Sequence, residues 1–213
     1  MSKSKGNVVN PWSVMNEQGA DALRWYLFTS APSSLPRRFS AELVGESLRR
    51  FMLTLWNTYS FFVTYANLYD WDPSTAGDAT QQSDLDRWLL SELNRLVKTV
   101  TENLESWHPM EAMLEVEEFI DGLTNWYVRR SRRRFWRSES DGDKQAAYAT
   151  LYTALTTLLR LLAPITPFLS EEMYRNLEAR VDSNAPDSVH LTDWPVVDES
   201  AIDDDLSDSV NLA

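Results

Sequence analysis

The sequence has no cysteine, which removes disulfides, thiolate zinc sites and cysteine nucleophiles together. Histidine is nearly absent too: His108 and His190 stand far apart, so no metal site is expected. No run approaches the ~18 uninterrupted apolar residues of a membrane span, and the N-terminus lacks the apolar stretch of a signal peptide. The expectation is a soluble, cytoplasmic protein with no membrane partner. Positive charge is in short supply. Twenty Lys and Arg face 32 Asp and Glu, a net charge of −12 that excludes nucleic-acid binding through the surface as a whole. Any polyanion site has to be local.

What the 213 residues do contain is enough apolar matter for a substantial core: 43% are hydrophobic and 12% aromatic, with nine Trp. The pattern is helical nearly throughout. Leu85, Trp88, Leu89, Leu93, Leu96, Val97, Val100 and Leu104 recur at three- and four-residue steps, with Ser83 or Asp84 as the N-cap. Leu48, Phe51, Leu55, Tyr59, Phe62 and Ala66 do the same and predict a helix over about 41–69 whose aromatic stripe packs in the core. Further helices are expected from Pro109 to Arg137, from 143 to 162, and after Thr166, which can cap with Pro167 in the first helical position. Upstream, Asn10 and Pro11 start a short helix that Gly19 ends, and another begins near Asp21. Pro73 and Gly77 break the chain between long helices, and only "VHLTDW", 189–194, reads as a strand. Four long helices joined by short polar loops give a mainly α fold, an antiparallel helical bundle with a short N-terminal helical connector.

The charges are segregated. "RRSRRRFWR", 129–137, holds six of the sixteen arginines and no acid, whereas 198–213 holds six acids and no base. On the 109–137 helix the apolar face at 120, 123 and 127 continues through positions 130 and 134, while Trp126 aligns with Arg129, Arg130 and Arg133. A helix whose apolar face turns cationic overshoots its bundle and presents guanidinium forks to phosphate oxygens or stacked bases. The alternative is that these arginines pair with acids such as Glu115, Glu117, Glu118 or the acidic tail, or dock the bundle onto another domain. The opening "MSKSKGN" also has two readings. It is either a solvated tail or a ligand loop in which Lys3 and Lys5 are movable charges and Ser2 and Ser4 are hydroxyl donors, with Gly6 allowing close approach to phosphate oxygens.

Taken in order, "MSKSKGN", "GADALRWYLFTSAP", "DRWLLSELN", "WYVRRSRRRFW" and "SVHLTDWP" resemble the C-terminal half of class I isoleucyl-tRNA synthetases, over roughly residues 1–197. The resemblance implies that residues 1–40 are a lysine loop and connector to a catalytic domain, 41–180 an anticodon-binding helical bundle, and 181–213 a short strand and acidic linker. It implies ATP with Mg as cofactor of the full-length enzyme and none bound by this portion alone. Ser2, Lys3, Ser4 and Lys5 would lie on the ATP phosphates, with Lys3 catalytic through charge developing on the pyrophosphate leaving group. Arg129, Arg130, Arg133, Arg134 and Arg137, with Trp126, would bind tRNA.

In that family the loop reads Lys-Met-Ser-Lys-Ser, so Met1 looks like an internal residue. The family's histidine motif, nucleotide-binding sheet, isoleucine pocket and editing domain all precede the loop. The expected function is therefore tRNA positioning within an enzyme that uses ATP to attach isoleucine to its tRNA, inactive by itself. Its partners would be the isoleucine tRNA and the N-terminal catalytic and editing domains. The alternatives are a valyl, leucyl or methionyl relative, or a stand-alone non-catalytic helical module that binds RNA or protein.

Overall fold

Local chemistry sets where each helix starts and stops. In the computed structural model, which describes residues 9–32, 34–74, 81–137 and 141–211, Asn10 Oδ1 accepts from the Trp12 amide at 3.0 Å and Pro11 opens α1 (Pro11–Gln18). Gly19, at φ +88°, closes α1 and stands directly before α2 (Ala20–Thr29), in a backbone conformation that a side chain would strain. Ser83 and Asp86 form a reciprocal capping box at the start of α5 (Asp84–Glu105). The expected long helices are present, and π-helical segments interrupt two of them. α3 (Ala41–Ser47) passes through Leu48–Met52 into α4 (Leu53–Leu68), and α6 (Pro109–Asp121) passes through Gly122–Val128 into α7 (Arg129–Trp136). α8 (Asp141–Leu162) follows, then α9 (Pro167–Tyr174) with a π turn at Arg175–Ala179, and α10 (Asp204–Asn211).

α8 is the centre of the core. Leu151, Leu155, Leu158, Leu159 and Leu162 are fully buried because α4, α5, α7 and α9 pack around it. Each such leucine contributes roughly 1.5–3 kcal/mol relative to an exposed one. α5 adds Leu89, Leu93, Val97 and Val100, members of the stripe its sequence spacing predicts, and pairs with α6 across a corner where Trp107 adopts φ +59°. The N-terminal helices share this core: Trp25 stacks on Phe51 with ring centroids 3.4 Å apart, and Val14 is fully buried. The architecture is the mainly α antiparallel bundle with a helical connector. No helix among the described residues is long and apolar enough to cross a membrane.

Residues 189–194, expected as a strand, instead contain a 3-10 turn at Val189–Leu191. A lone extended segment has no ladder to satisfy its backbone, whereas here Glu171 Oε2 accepts from the Val189 amide at 3.0 Å and the Ser188 hydroxyl at 2.8 Å. The acidic stretch lies along α5 over its described length. Trp194 Nε1 donates to Thr101 Oγ1, and the Asp198 and Asp203 amides donate to Asn94 Oδ1 and Ser91 Oγ, each at 2.8 Å. The opening loop and the Gly77 break lie outside the described residues.

Thr166 stands at the N-cap of α9 with Pro167 after it, but its hydroxyl turns back toward the Leu162 carbonyl. The cap comes from α2: Asp21 Oδ2 accepts from the Leu169 amide at 2.7 Å. Burial pushes the Asp21 carboxyl above its ordinary value, and the Leu169 and Phe168 amides offset this only in part. The ionised form is therefore disfavoured on folding, and this group's contribution to stability grows as pH falls through its raised folded-state pKa. Asp21→Asn keeps the acceptor without burying a charge, so no loss is expected at pH 7, and urea unfolding should show the acid-side gain gone. Asp21→Ala removes the cap and should lose about 1–2 kcal/mol. A loss for asparagine equal to that for alanine would mean that the charge, not the acceptor, holds α9.

Candidate nucleic-acid interface

The arginine run follows a change of helical pitch. A π segment adds one residue to the α-helical phase, so a downstream position takes the angular place its predecessor would have held. The core stripe of α6 passes through Val116, Ile120 and Leu123, and beyond Gly122–Val128 it continues through Ser131 and Phe135, not through positions 130 and 134. Arg129, Arg130, Arg132 and Arg133 are consequently exposed along α7, as is Arg137 just past its end. Among the described residues none of these five has a carboxylate partner. Of the acids the sequence offers as partners, Glu117 pairs instead with Arg50 at 2.6 Å, Asp204 with Arg95 at 2.8 Å and Glu199 with Lys98 at 3.1 Å.

Aromatic rings order two of these guanidinium groups. Arg130 lies 3.6 Å from the centroid of Trp126, and Arg132 sits 5.6 Å from Trp136 and 5.9 Å from Phe61. A guanidinium held against a ring face keeps its in-plane N–H donors free for another acceptor. Phe61 and Tyr65, on the half-exposed side of α4, extend the ring cluster, with Tyr65 5.5 Å from Trp136. The Tyr69 hydroxyl donates to the Trp136 carbonyl at 3.0 Å and fixes the end of α7. The surface can thus offer forks to phosphate oxygens and rings to unpaired bases. Trp126 is partly buried beneath Arg130, and its Nε1 finds no acceptor among the described residues. Arg132, Phe61, Tyr65 and Trp136 were not singled out from sequence, although Arg132 and Trp136 belong to the same run.

Arg134 is a correction. Expected on the outward stripe, it turns inward, its side chain 15% exposed. Its Nη1 and Nη2 donate to Asp86 Oδ1 and Oδ2 at 2.8 and 2.7 Å, and its Nε donates to Asp143 Oδ1 at 2.8 Å. Asp86 Oδ1 also accepts from the Tyr127 hydroxyl at 2.7 Å, while Oδ2 accepts from the Ser83 amide and hydroxyl, each at 2.8 Å. Burial pushes the fully buried Asp86 carboxyl up, but the bonds from Arg134 and Tyr127 and the Arg134 charge outweigh it and hold the group below its ordinary value. Burial likewise lowers the Arg134 pKa, and its bonds to Asp86 and Asp143 more than reverse that. The Tyr127 hydroxyl, pushed well up by burial and then by the Asp86 charge, remains a neutral donor. Asp86 is not singled out from sequence; the signal that could have found it is the capping-box spacing from Ser83, which places an acid at the third position of α5. Tyr127 and Asp143 carried none. Ser2, Lys3, Ser4 and Lys5 lie outside the described residues.

The bundle buries one side of α7 through Ser131 and Phe135 and leaves the other side cationic and ring-backed. Residues 86–213 match the anticodon-binding domain of tRNA ligase, and residues 1–37 match tRNA synthetases class I (I, L, M and V). The chain belongs to the anticodon-binding domain family of tRNA ligases. Over its full length it is 55% identical to the isoleucine-tRNA ligase of Dehalococcoides mccartyi and 49% identical to that of Clostridium novyi. Over 97% of its length it is 50% identical to the isoleucine-tRNA ligase of Thermus thermophilus. It spans about a fifth of these relatives, 21%, 20% and 20% in turn. The resemblance to isoleucyl-tRNA synthetases is therefore borne out. Among solved structures, LeuRS from Agrobacterium radiobacter, in a ternary complex with tRNA and LeuAMS, shares the fold. It aligns with a TM-score of 0.67 at 23% identity over 95% of this chain and 23% of its own.

Proposed function

We propose that the chain is the tRNA-positioning portion of an isoleucine-tRNA ligase, lying against its tRNA through Arg129, Arg130, Arg132, Arg133 and Arg137 with Trp126. One observation carries this reading. In a chain of net charge −12, five of the six arginines in the densest cationic segment, all but Arg134, are left without carboxylate partners among the described residues. An acidic protein that keeps such a segment unneutralised presents it to an external polyanion. Membership of the anticodon-binding family and the similarity to isoleucine-tRNA ligases make the isoleucine tRNA the natural candidate. The whole reaction is then ATP-dependent attachment of isoleucine to that tRNA, with ATP and Mg as the needs of the full enzyme and its catalytic and editing domains as partners in a cytoplasmic setting.

Ser2, Lys3, Ser4 and Lys5 are assigned to the ATP phosphates, with Lys3 stabilising charge on departing pyrophosphate. The support for them is their residue types and the class I match over residues 1–37. The test of the tRNA reading is fluorescence anisotropy of labelled isoleucine tRNA with the purified chain across a salt series. Log affinity should fall linearly with log salt by roughly 0.7–0.9 for each phosphate contacted. Absence of any salt-dependent association would sink the reading.

A further inference from the structure

We propose that Asp86 and Arg134 are a positioning pair that sets the rotation of α7 about its own axis and so aims Arg130, Arg133 and Arg137 at the tRNA backbone. The proposal rests on the tRNA-binding reading above. α7 is eight residues long and continues α6 through a π segment, so its phase depends on that segment and on what anchors α7 beyond it. Phe135 and Ser131 bury its inner face, and the Tyr148 and Tyr69 hydroxyls donate to the Phe135 and Trp136 carbonyls, each at 3.0 Å. Those contacts seat the end of the helix through single hydrogen bonds. The Arg134 fork differs: two parallel charge-assisted bonds to one carboxylate fix both the direction and the plane of the side chain.

The receiving carboxylate is itself immobile. Asp86 is fully buried and is held by the Ser83 amide and hydroxyl at the head of α5 and by the Tyr127 hydroxyl. Arg134 stands four residues after Arg130 and one after Arg133 in the same helix, with Arg137 attached at its C-cap, so a rotation of α7 re-aims Arg130 and Arg133 directly and carries the attachment point of Arg137 with them. A buried ion pair is a weak route to stability, because apolar residues of similar volume often serve as well. A fixed geometry is the property they would not reproduce.

The test compares three variants of the whole chain by circular dichroism, thermal unfolding and anisotropy with isoleucine tRNA across a salt series. Asp86→Asn removes a negative charge, so electrostatics alone would tighten tRNA binding. Loss of aim instead predicts roughly tenfold weaker binding and a salt slope smaller by about one. Arg134→Lys keeps the net charge and loses the fork, and it should weaken binding in the same way; it carries the test alone if Asp86→Asn does not fold. Tyr127→Phe removes a hydrogen bond from the same network but leaves the fork, so it should lower the melting temperature while leaving affinity and slope unchanged. Binding by folded Asp86→Asn or Arg134→Lys at full affinity and slope overturns the proposal alone, as does equal weakening in Tyr127→Phe. No salt-dependent binding by the unsubstituted chain overturns the tRNA reading, and the proposal with it.

Discussion

Alanine at Asp86 is expected to destabilise the fold by about 3 kcal/mol, the low end of the loss found when one partner of a buried ion pair is removed, because Arg134 keeps Asp143. Against a total of roughly 5–15 kcal/mol for a domain, that is enough to leave a marginal protein partly unfolded. The magnitude follows from what remains: Arg134 keeps Asp143 but loses its bidentate partner, Tyr127 keeps a buried hydroxyl without its carboxylate, and the Ser83 capping box loses its return bond. The pH dependence has a definite sign. Asp86 is held below its ordinary value, so its contribution is complete above the unfolded-state pKa near 4 and disappears as pH falls through the lower folded-state pKa. Urea unfolding at pH 7 and pH 3 should therefore show the gap between the unsubstituted chain and Asp86→Ala narrowing in acid. The raised Asp21 acts in the opposite direction, but it is common to both proteins and drops out of the comparison. A gap independent of pH would mean that lost packing, not the charged pair, accounts for the effect.

Much of the fold was legible because helix ends and faces are written locally. Asn10, Pro11, Gly19 and Ser83 act within a few residues of where they stand, and the α5 stripe from Trp88 to Val100 needs only the α-helical period. What escaped was whatever depends on a distant partner or on an inserted residue. The π segment at Gly122–Val128 has no local signature, yet it decides that Ser131 and Phe135, not positions 130 and 134, continue the core. Arg134 is expected outward only if the helix overshoots its bundle, and the partner that turns it inward, Asp86, lies 48 residues away. Thr166 was credited with a cap that Asp21 supplies from 148 residues upstream of Leu169. "VHLTDW" reads as a strand, but with no second strand beside it among the described residues the segment turns toward Glu171. The clustering of arginines at 129–137 can be read from the sequence; which of them face outward cannot.

Replacing Arg130, Arg133 and Arg137 together with glutamine should weaken isoleucine-tRNA binding by about a hundredfold and reduce the salt slope by roughly two to three, since each lost phosphate contact is worth about 1 kcal/mol and one unit of slope. All three are exposed, and none has a carboxylate partner among the described residues, so no buried acid is orphaned by the change. The structural loss should be confined to the stacking of Arg130 on Trp126, about 0.5–1 kcal/mol for a partly exposed cation on a ring. Glutamine at Arg134 should do the reverse, lowering the melting temperature sharply because Asp86 loses its charged partner, with a smaller change in slope. The contrast between the two sets, measured by thermal unfolding and by tRNA anisotropy at two salt concentrations, separates the outward arginines from the inward one. If the triple variant were destabilised while its salt slope stayed intact, these arginines would be holding protein and not RNA, and the tRNA-contact role for this helix would have to be given up.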